Sequence, residues 1–236
     1  MAGLHGILTD PLLSVVMPVY NERDTIESMV ARVLAVPGIR LELIVVDDGS
    51  KDGTTEILRE LEARYRFKLL LKENGGKGSA LRRGFKEVTG DLVVIQDADT
   101  EYSPEEFPDL IELICQGRAD VVYGSRFLGR HRVFLFTHYL GNLFLTLVTN
   151  VLYNTMLTDM ETCYKAMRVE VLRSFSLESD GFGIEPELTA KIFKRGYRVY
   201  EVPITYDGRG YDEGKKITWR DGVVALWVLL KYRVTE

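Results

Sequence analysis

Short β-branched and apolar runs alternate with helical patterns along the N-terminal part of the chain. The strand-like runs are residues 13–20, 41–49, 67–72 and 91–97, and the helical patterns between them are 24–36, 53–66 and 77–88. Strand and helix repeated in this order predict an α/β fold with a mostly parallel central sheet and helices on both faces. Ligands of such sheets bind beyond the carboxyl ends of the strands. We therefore expect a ligand site at those ends.

Polar side chains follow each of these four predicted strands. They are Asn21 and Glu22, then Asp47 and Asp48, then residues 74–77, and finally Asp97 and Asp99. The run before Asp97 is typical of a strand buried on both faces, where an unpaired charge is costly, so the two aspartates are expected to hold a cation or a polyphosphate. The alternative is that polar residues and helix caps simply collect at strand ends. That alternative explains one cluster better than it explains four.

Composition narrows the class of function. The 236 residues carry a net charge of −5 at pH 7, so no Lys/Arg excess exists to neutralise a nucleic-acid backbone, and nucleic acid is not the expected partner. Cys115 and Cys163 have neither disulfide nor metal-ligand spacing, which favours the cytosol. Residues 1–20 lack the features of a signal peptide, and we expect 1–12 to be a loose lead-in to one large domain.

The later part of the chain adds two strands, 118–127 and 198–206, and two apolar helical segments, 134–157 and 217–236. The first segment has an apolar stripe of Leu140, Phe144, Leu147, Val148, Val151 and Leu152, and a polar stripe of Asn142, Thr146, Asn150 and Asn154. Its histidine and asparagines make it a poor membrane-spanning helix. For each segment two alternatives remain open: a helix half-buried in the protein, or an amphipathic helix resting in a bilayer interface.

Five ordered motifs carry a resemblance to a known family. They are SVVMPVYNER, VVDDGSKDGT, NGGKGSALRRG, QDADT and GSR. Together they resemble glycosyltransferase family 2, in particular its polyprenyl-phosphate hexosyltransferase branch, over about Ser14 to Arg233. The resemblance implies a GT-A-like fold over 13–216, with a nucleotide-sugar half (13–127) and an acceptor half (128–216). The glycine-rich motif has neither Walker A nor dinucleotide-binding spacing, which counts against an NTPase or a dehydrogenase.

The implied activity is inverting, metal-dependent transfer of glucose or mannose from a UDP- or GDP-sugar to a polyprenyl or dolichyl phosphate at the cytosolic membrane face. Mg²⁺ or Mn²⁺ would bridge the donor diphosphate and stabilise the leaving group. The implied metal ligands are Asp97, Asp99 and Glu101. The implied nucleotide-sugar contacts are Pro18, Tyr20, Asn21, Glu22, Asp47, Asp48, Gly76, Lys77, Asp97 and Ala98.

The acceptor side is also implied by resemblance. Arg126 and Arg132 would hold the acceptor phosphate, and Asp159 matches the first position of the family motif Asp-x-x-x-Gly-Phe-Arg. Cys163, Tyr164 and Lys165 replace the usual Gly, Phe and Arg, although Lys165 still supplies a charge to balance a diphosphate. The expected catalytic residues are Asp99, Arg126, Asp159 and Lys165. Arg209, Lys215 and Lys216 are expected to close over the donor as part of a loop.

Other functions remain open on the sequence alone. A lipid phosphate, with a second pKa of about 6, attacks without a general base. A hydroxyl acceptor needs a base, for which the candidates are Asp159, Glu161, Glu185 and Glu187. A nucleotide-binding regulatory module without catalysis is the alternative from another class. A nucleotidyltransferase is disfavoured because MPVYNER, and not a glycine-rich loop, follows the first strand.

Overall fold

A computed structural model describes residues 6–133, 135–208 and 219–235, and a seven-stranded sheet organises this part of the chain. The strands are β1 (Leu12–Val19), β2 (Arg40–Asp47), β3 (Lys68–Leu71), β4 (Leu92–Ile95), β5 (Val121–Ser125), β6 (Lys165–Arg168) and β7 (Val199–Pro203). The helices are α1 (Ile26–Leu34), α2 (Thr54–Tyr65), α3 (Lys77–Phe85), α4 (Phe107–Cys115), α5 (Phe136–Tyr153), α6 (Val169–Arg173), α7 (Ile184–Lys194) and α8 (Trp219–Val234).

The strand order is β3-β2-β1-β4-β6-β5-β7, and only β6 among these strands runs antiparallel to its neighbours. The predicted α/β class and mostly parallel sheet are confirmed. Buried aliphatic side chains of β1, β2 and β4 form the centre of the core, as expected for parallel strands covered on both faces. The carboxyl ends of β1 to β4 therefore open onto one edge of the sheet.

Strand β6 was not predicted. It is four residues long and begins and ends with a cation, which is not a strand pattern. Both cations are nevertheless buried, since Lys165 meets Glu185, and the Arg168 guanidinium donates to the Ile114 carbonyl at 3.0 Å. Partners from distant parts of the chain thus make this strand possible.

Helix α5 turns its polar stripe towards the protein. The Thr146 hydroxyl accepts a hydrogen bond from the Met160 N–H at 3.2 Å. The Asn150 side chain both donates to the Leu157 carbonyl and accepts from the Leu157 N–H, each at 2.8 Å. These contacts satisfy loop backbone groups that would otherwise be buried without partners.

The apolar stripe of α5 is divided between solvent and the core. Leu140 and Phe144 are each 52% exposed, Leu147 is 58% exposed and Val151 is 74% exposed, whereas Val148 and Leu152 are partly buried against the core. An ordinary surface helix buries more of its apolar face than this. An exposed apolar patch of this kind is typical of a surface that contacts a ligand, a lipid surface or another chain.

Helix α8 packs on α5 and α7 through Ala225, Val228, Leu229 and Tyr232, and the Tyr153 hydroxyl donates to the Leu229 carbonyl at 2.8 Å. Its opposite side leaves Trp219 and Trp227 exposed. In the described residues, neither these helices nor any other one combines the length and apolar character needed to cross a bilayer.

Candidate active site

The end of β2 fixes two loops through buried aspartates. Asp47 accepts the Ser50 N–H at 3.0 Å and the Thr55 hydroxyl. Asp48 accepts the backbone N–H groups of Gly75 and Gly76 at 3.0 and 2.7 Å, and it also pairs with Lys72. Both carboxylates are nearly inaccessible to solvent. Their direct role in this structure is to hold the loops that follow β2 and β3.

The end of β1 meets the same loops. Asn21 accepts the Lys51 N–H at 2.8 Å through its side chain, and its own N–H donates to the Ser50 hydroxyl at 2.9 Å. The buried Glu22 carboxylate accepts the Thr25 hydroxyl at 2.8 Å. Pro18 is half-buried, and Tyr20 is exposed at the edge of the sheet. These four residues, which are predicted to contact the nucleotide sugar, thus lie together.

A cavity lies where β2 and β3 end. It has a volume of about 540 Å³ and is lined by Gly49, Lys51, Leu71, Lys72, Glu73 and Asn74. The cavity adjoins the loops held by Asp48, since Lys72 both lines the cavity and pairs with Asp48. The lining combines apolar surface from Leu71 with polar groups of both charges, since Lys72 is paired with Asp48 and Glu73 is also present, and a planar ligand with polar edges suits this mixture.

The glycine-rich motif packs against the chain itself. Gly76 has φ +93°, and a Cβ there would lie 2.6 Å from the Asp180 carbonyl oxygen. A Cβ on Gly78 would lie 2.2 Å from the Ser179 carbonyl oxygen. The Ser79 N–H donates to the same Asp180 carbonyl at 2.9 Å. Residues 179–181 thus approach the glycine-rich segment so closely that no side chain fits at Gly76 or Gly78.

A charge network links the start of α3 with the end of β4 and with α7. The Lys77 ammonium lies 2.9 Å from one Asp97 oxygen and 3.4 Å from Glu185 Oε1. Glu185 Oε2 in turn lies 2.6 Å from the ammonium of the fully buried Lys165. Burial lowers the pKa of Lys77, but the Asp97 and Glu185 charges outweigh burial and raise this pKa well above its ordinary value. Lys77 therefore stays cationic beside Asp97.

The predicted metal ligands are only partly brought together. Asp97 and Asp99 are half-buried at the end of β4, with Ala98 buried between them. The Glu101 carboxylate instead accepts the Tyr206 hydroxyl at 2.8 Å. Among the described residues, no group of three or more acidic, His or Cys side chains is placed to hold a metal ion, and Glu101 as a third ligand stays a prediction. Two carboxylates completed by substrate phosphates are a usual site for Mg²⁺. Both Asp97 oxygens already contact the Lys77 ammonium, at 2.9 and 3.1 Å, so a metal ion bound there would share Asp97 with Lys77.

Arg126 and Asp159 form a buried bidentate ion pair. Arg126 Nε and Nη2 donate to the two Asp159 oxygens at 2.7 and 2.8 Å, and the Arg126 backbone N–H adds a third bond at 3.0 Å. The guanidinium carbon lies 5.2 Å from the centre of the Tyr206 ring, and Nη2 also reaches Asn142 on α5 at 3.4 Å. Burial lowers the Arg126 pKa, but the Asp159 charge outweighs burial and raises it well above its ordinary value.

This pairing bears on the expected roles of both residues. Each Asp159 oxygen accepts from the Arg126 guanidinium, and Glu201 accepts the Asp159 N–H at 3.1 Å, which fixes the loop. Asp159 is therefore poorly suited to take a proton from a hydroxyl acceptor. The Lys165 charge is similarly balanced by Glu185 within the protein.

An apolar groove of about 290 Å³ runs along α5 next to this ion pair. Its lining is Phe127, Tyr139, Leu143, Thr146, Leu147, Asn150, Leu157 and Thr158. Phe127 and Thr158 are the sequence neighbours of Arg126 and Asp159, so the groove starts beside the buried cation. Arg132 lies on the following loop, where its guanidinium donates to the Gly208 carbonyl at 3.3 Å. Arg209, Lys215 and Lys216, predicted to close over the donor, lie outside the described residues.

Glu161 is a site residue that the sequence analysis considered only as an alternative base. Its Oε1 is buried and has no hydrogen-bond partner. Burial raises the pKa of Glu161 to about 7, opposed by the Lys165 charge and reinforced by that of Glu185. A glutamate in a short loop gives no sequence signal for such burial.

We predict that Glu161 makes the protein less stable as the pH rises. Between its ordinary pKa of 4.5 and about 7, the folded state holds a proton that the unfolded state has lost. Glu161→Gln is always neutral, so its stability relative to the wild type should increase across this range and then level off, by roughly 2 kcal/mol after allowance for partial exposure. Urea unfolding at several pH values measures this difference. A difference that does not vary with pH would contradict the prediction.

Comparison with known proteins identifies relatives. The sequence matches the family described as Glycosyl transferase family 2 over residues 14–175. It is 34% identical over 215 residues to a dolichol-phosphate mannosyltransferase of Pyrococcus furiosus, which covers 86% of this chain and 58% of the relative. It is 43% identical over 115 residues to an undecaprenyl-phosphate 4-deoxy-4-formamido-L-arabinose transferase of Edwardsiella ictaluri, covering 46% of this chain and 35% of the relative. The chain thus spans between about a third and three fifths of the length of these relatives.

A solved structure supports the fold. Glucosyl-3-phosphoglycerate synthase from Mycobacterium tuberculosis, in complex with Mn²⁺, UDP and phosphoglyceric acid, superposes with a TM-score of 0.74 at 24% identity. The match covers 96% of this chain and 80% of the other. It confirms the predicted GT-A-like fold. With the family match over well more than half of its residues, the chain belongs to glycosyl transferase family 2.

Proposed function

We propose that this protein transfers a hexose from a nucleoside diphosphate sugar to a polyprenyl phosphate at a membrane surface. The observation that carries the proposal is the apolar groove beside the Arg126–Asp159 pair, on a helix whose apolar stripe is partly exposed. A polyprenyl phosphate combines the two properties that this arrangement suits, a long apolar chain and an anionic head. The names of the two transferases similar to this chain agree with such an acceptor.

The donor would bind across the ends of β1 to β4. The cavity beside Lys51, Lys72 and Asn74 suits the nucleoside, and the diphosphate would then extend towards Lys77. Asp97 and Asp99 would hold Mg²⁺ or Mn²⁺, which supplies positive charge to the departing nucleoside diphosphate. Lys77 adds a fixed cation at the same place.

The acceptor would lie along α5, with its phosphate near Arg126 and Arg132. A phosphate monoester is largely dianionic at neutral pH, with a second pKa of about 6, and needs no base to attack. This agrees with Asp159, whose two oxygens are both occupied by Arg126. Inversion at the anomeric carbon is the expected outcome of a single displacement.

Membrane association would use α5 and α8. Exposed Trp219 and Trp227 suit the interfacial region of a bilayer, and Lys231 and Arg233 suit anionic head groups. The exposed apolar residues of α5 would lie at the same surface and deliver the lipid to the groove.

The test is release of nucleoside diphosphate from a panel of UDP- and GDP-sugars with Mg²⁺ or Mn²⁺, each with and without a short polyprenyl phosphate. We expect one donor to turn over only when the lipid phosphate and a divalent cation are present. If a donor turns over equally well with saccharide hydroxyls and never with lipid phosphate, the acceptor assignment is wrong. If no donor binds, the activity as a whole is wrong.

A groove variant sharpens the test. Leu143→Gln should raise the KM for the polyprenyl phosphate while leaving the KM for the donor unchanged, because Leu143 lines the groove and is 46% exposed. Val223→Gln on α8 is the matched control, since Val223 is also exposed and does not line the groove. Equal effects of both variants would contradict a specific lipid groove.

A further inference from the structure

Two buried carboxylate oxygens of the candidate site make no hydrogen bond with the described residues. They are Oε1 of Glu161 and Oε1 of Glu185. Glu185 is only 3% exposed, and its other oxygen is bound by Lys165. The Lys77 ammonium lies 3.4 Å from Glu185 Oε1 as an ion-pair partner, whereas Glu161 makes no ion pair within the described structure. Buried polar atoms in native proteins almost always have a partner, so Glu161 Oε1 in particular indicates a ligand that supplies the missing donor.

The position of these oxygens indicates which part of a ligand they meet. Glu185 Oε1 lies 3.4 Å from the Lys77 ammonium, which in turn contacts Asp97. The charges of Lys165, Glu185, Arg126 and Asp159 all act on Glu161. Glu161 lies two residues after Asp159, which pairs with Arg126, and directly before Thr162, whose carbonyl accepts the Lys165 ammonium. Since Lys165 also pairs with Glu185, the segment 159–162 joins the Arg126–Asp159 pair to the Lys165–Glu185 pair.

The chemistry of the oxygens limits the ligand further. An ionised carboxylate only accepts hydrogen bonds, so Glu185 and the ionised form of Glu161 repel another anion such as phosphate at this place. A hydroxyl group donates a hydrogen bond and needs no charge. The group that lies between a donor diphosphate and an acceptor phosphate, and that carries several hydroxyls, is the hexose.

We propose that Glu161 and Glu185 accept hydrogen bonds from hydroxyl groups of the transferred hexose and so contribute to sugar specificity. This inference rests on the proposed function for its donor class. Glu161 is the better probe of the two, because it is partly exposed and makes no ion pair within the described structure, whereas Glu185 also holds Lys165.

The test is equilibrium binding of the donor identified in the panel, of its free nucleoside diphosphate, and of donor analogues that each lack one sugar hydroxyl. In Glu161→Ala, we expect affinity for the nucleoside diphosphate to stay within about twofold, and affinity for the nucleotide sugar to fall roughly tenfold to a hundredfold. Glu161→Gln keeps an acceptor oxygen and should lose less. One deoxy analogue should bind the wild type more weakly than the parent donor does. Glu161→Ala should bind this analogue and the parent donor equally well.

Glu106 provides a matched control. It too has a buried carboxylate oxygen without a hydrogen-bond partner, but it accepts the Thr205 N–H from the segment after β7 and belongs to neither ion pair. Glu106→Ala should leave the affinity difference between nucleotide sugar and nucleoside diphosphate unchanged.

The outcomes separate the two proposals. Equal weakening of both ligands in Glu161→Ala, or the absence of any deoxy analogue coupled to Glu161, overturns the inference and leaves the proposed function standing. If Glu161→Ala loses affinity for the nucleotide sugar alone, and the wild type shows no turnover with lipid phosphate, the inference is supported and only the proposed acceptor is wrong. A wild-type protein that binds no nucleoside diphosphate with or without Mg²⁺ or Mn²⁺ overturns both.

Discussion

Asp99→Ala is expected to reduce donor turnover about 10³-fold or more, corresponding to roughly 4 kcal/mol of transition-state stabilisation. The reason is that, in the proposed mechanism, Asp99 is one of two carboxylates at the end of β4 that would hold a divalent cation, whose charge would stabilise the departing diphosphate. The measurement is the initial rate of nucleoside diphosphate release as a function of Mn²⁺ concentration. We expect the residual activity of the variant to need more Mn²⁺.

The fold should be little affected by this change, because Asp99 is half-buried and accepts a local hydrogen bond from the Glu101 N–H at 3.1 Å. Asp109→Ala, which removes an exposed aspartate from the first turn of α4, is the matched control and should retain full activity. Asp99→Ala activity within tenfold of the wild type, at the same Mn²⁺ requirement, would show that Asp99 does not hold the metal.

Arg126→Ala is expected to destabilise the protein by about 3–5 kcal/mol, a large part of the total stability of roughly 5–15 kcal/mol that is typical of a folded protein. The variant leaves Asp159, which is 0% exposed, without the guanidinium that binds both of its oxygens. An uncompensated buried carboxylate is costly. Urea unfolding near neutral pH measures the loss.

The double variant Arg126→Ala/Asp159→Ala distinguishes this cause from a simple loss of packing. The loss of stability in the double variant should be smaller than the sum of the two single losses by roughly 2 kcal/mol or more, because no buried charge remains. Arg40→Ala is the control: its pair with Asp10 is exposed on both sides and should contribute about 1 kcal/mol or less. Additive losses for Arg126 and Asp159 would mean that the pair is not coupled.

The parallel part of the fold is predictable from local patterns. Strand β4 is a continuous apolar run and β1 and β2 are mostly apolar, and turn or helix signals separate the three, so hydropathy indicates both the strands and their crossover connections. Helices α1 to α3 lie within the ranges predicted for them. Strand β6 is different: its terminal cations become compatible with burial only through partners on other elements.

The candidate site is likewise predictable from the sequence only in part. The motifs indicate that Asp97, Asp99 and Lys77 lie at strand ends, and the structure brings them together. The partners of Arg126 and Lys165, and the burial of Glu161, depend on side chains that are distant in sequence. The predicted loop residues Arg209, Lys215 and Lys216 stay a prediction.

The sequence by itself determined the family, the mostly parallel sheet and the edge at which the site lies, because these depend on short-range periodicity and on ordered motifs. Only the tertiary structure decided which cations are already neutralised and which side of α5 faces the protein. A hydropathy pattern divides a helix into two sides. The inward side of α5 combines Leu145, Val148 and Leu152 with Asn142, Thr146 and Asn150, because the core covers the first three and Arg126, Met160 and Leu157 offer hydrogen-bond partners to the others.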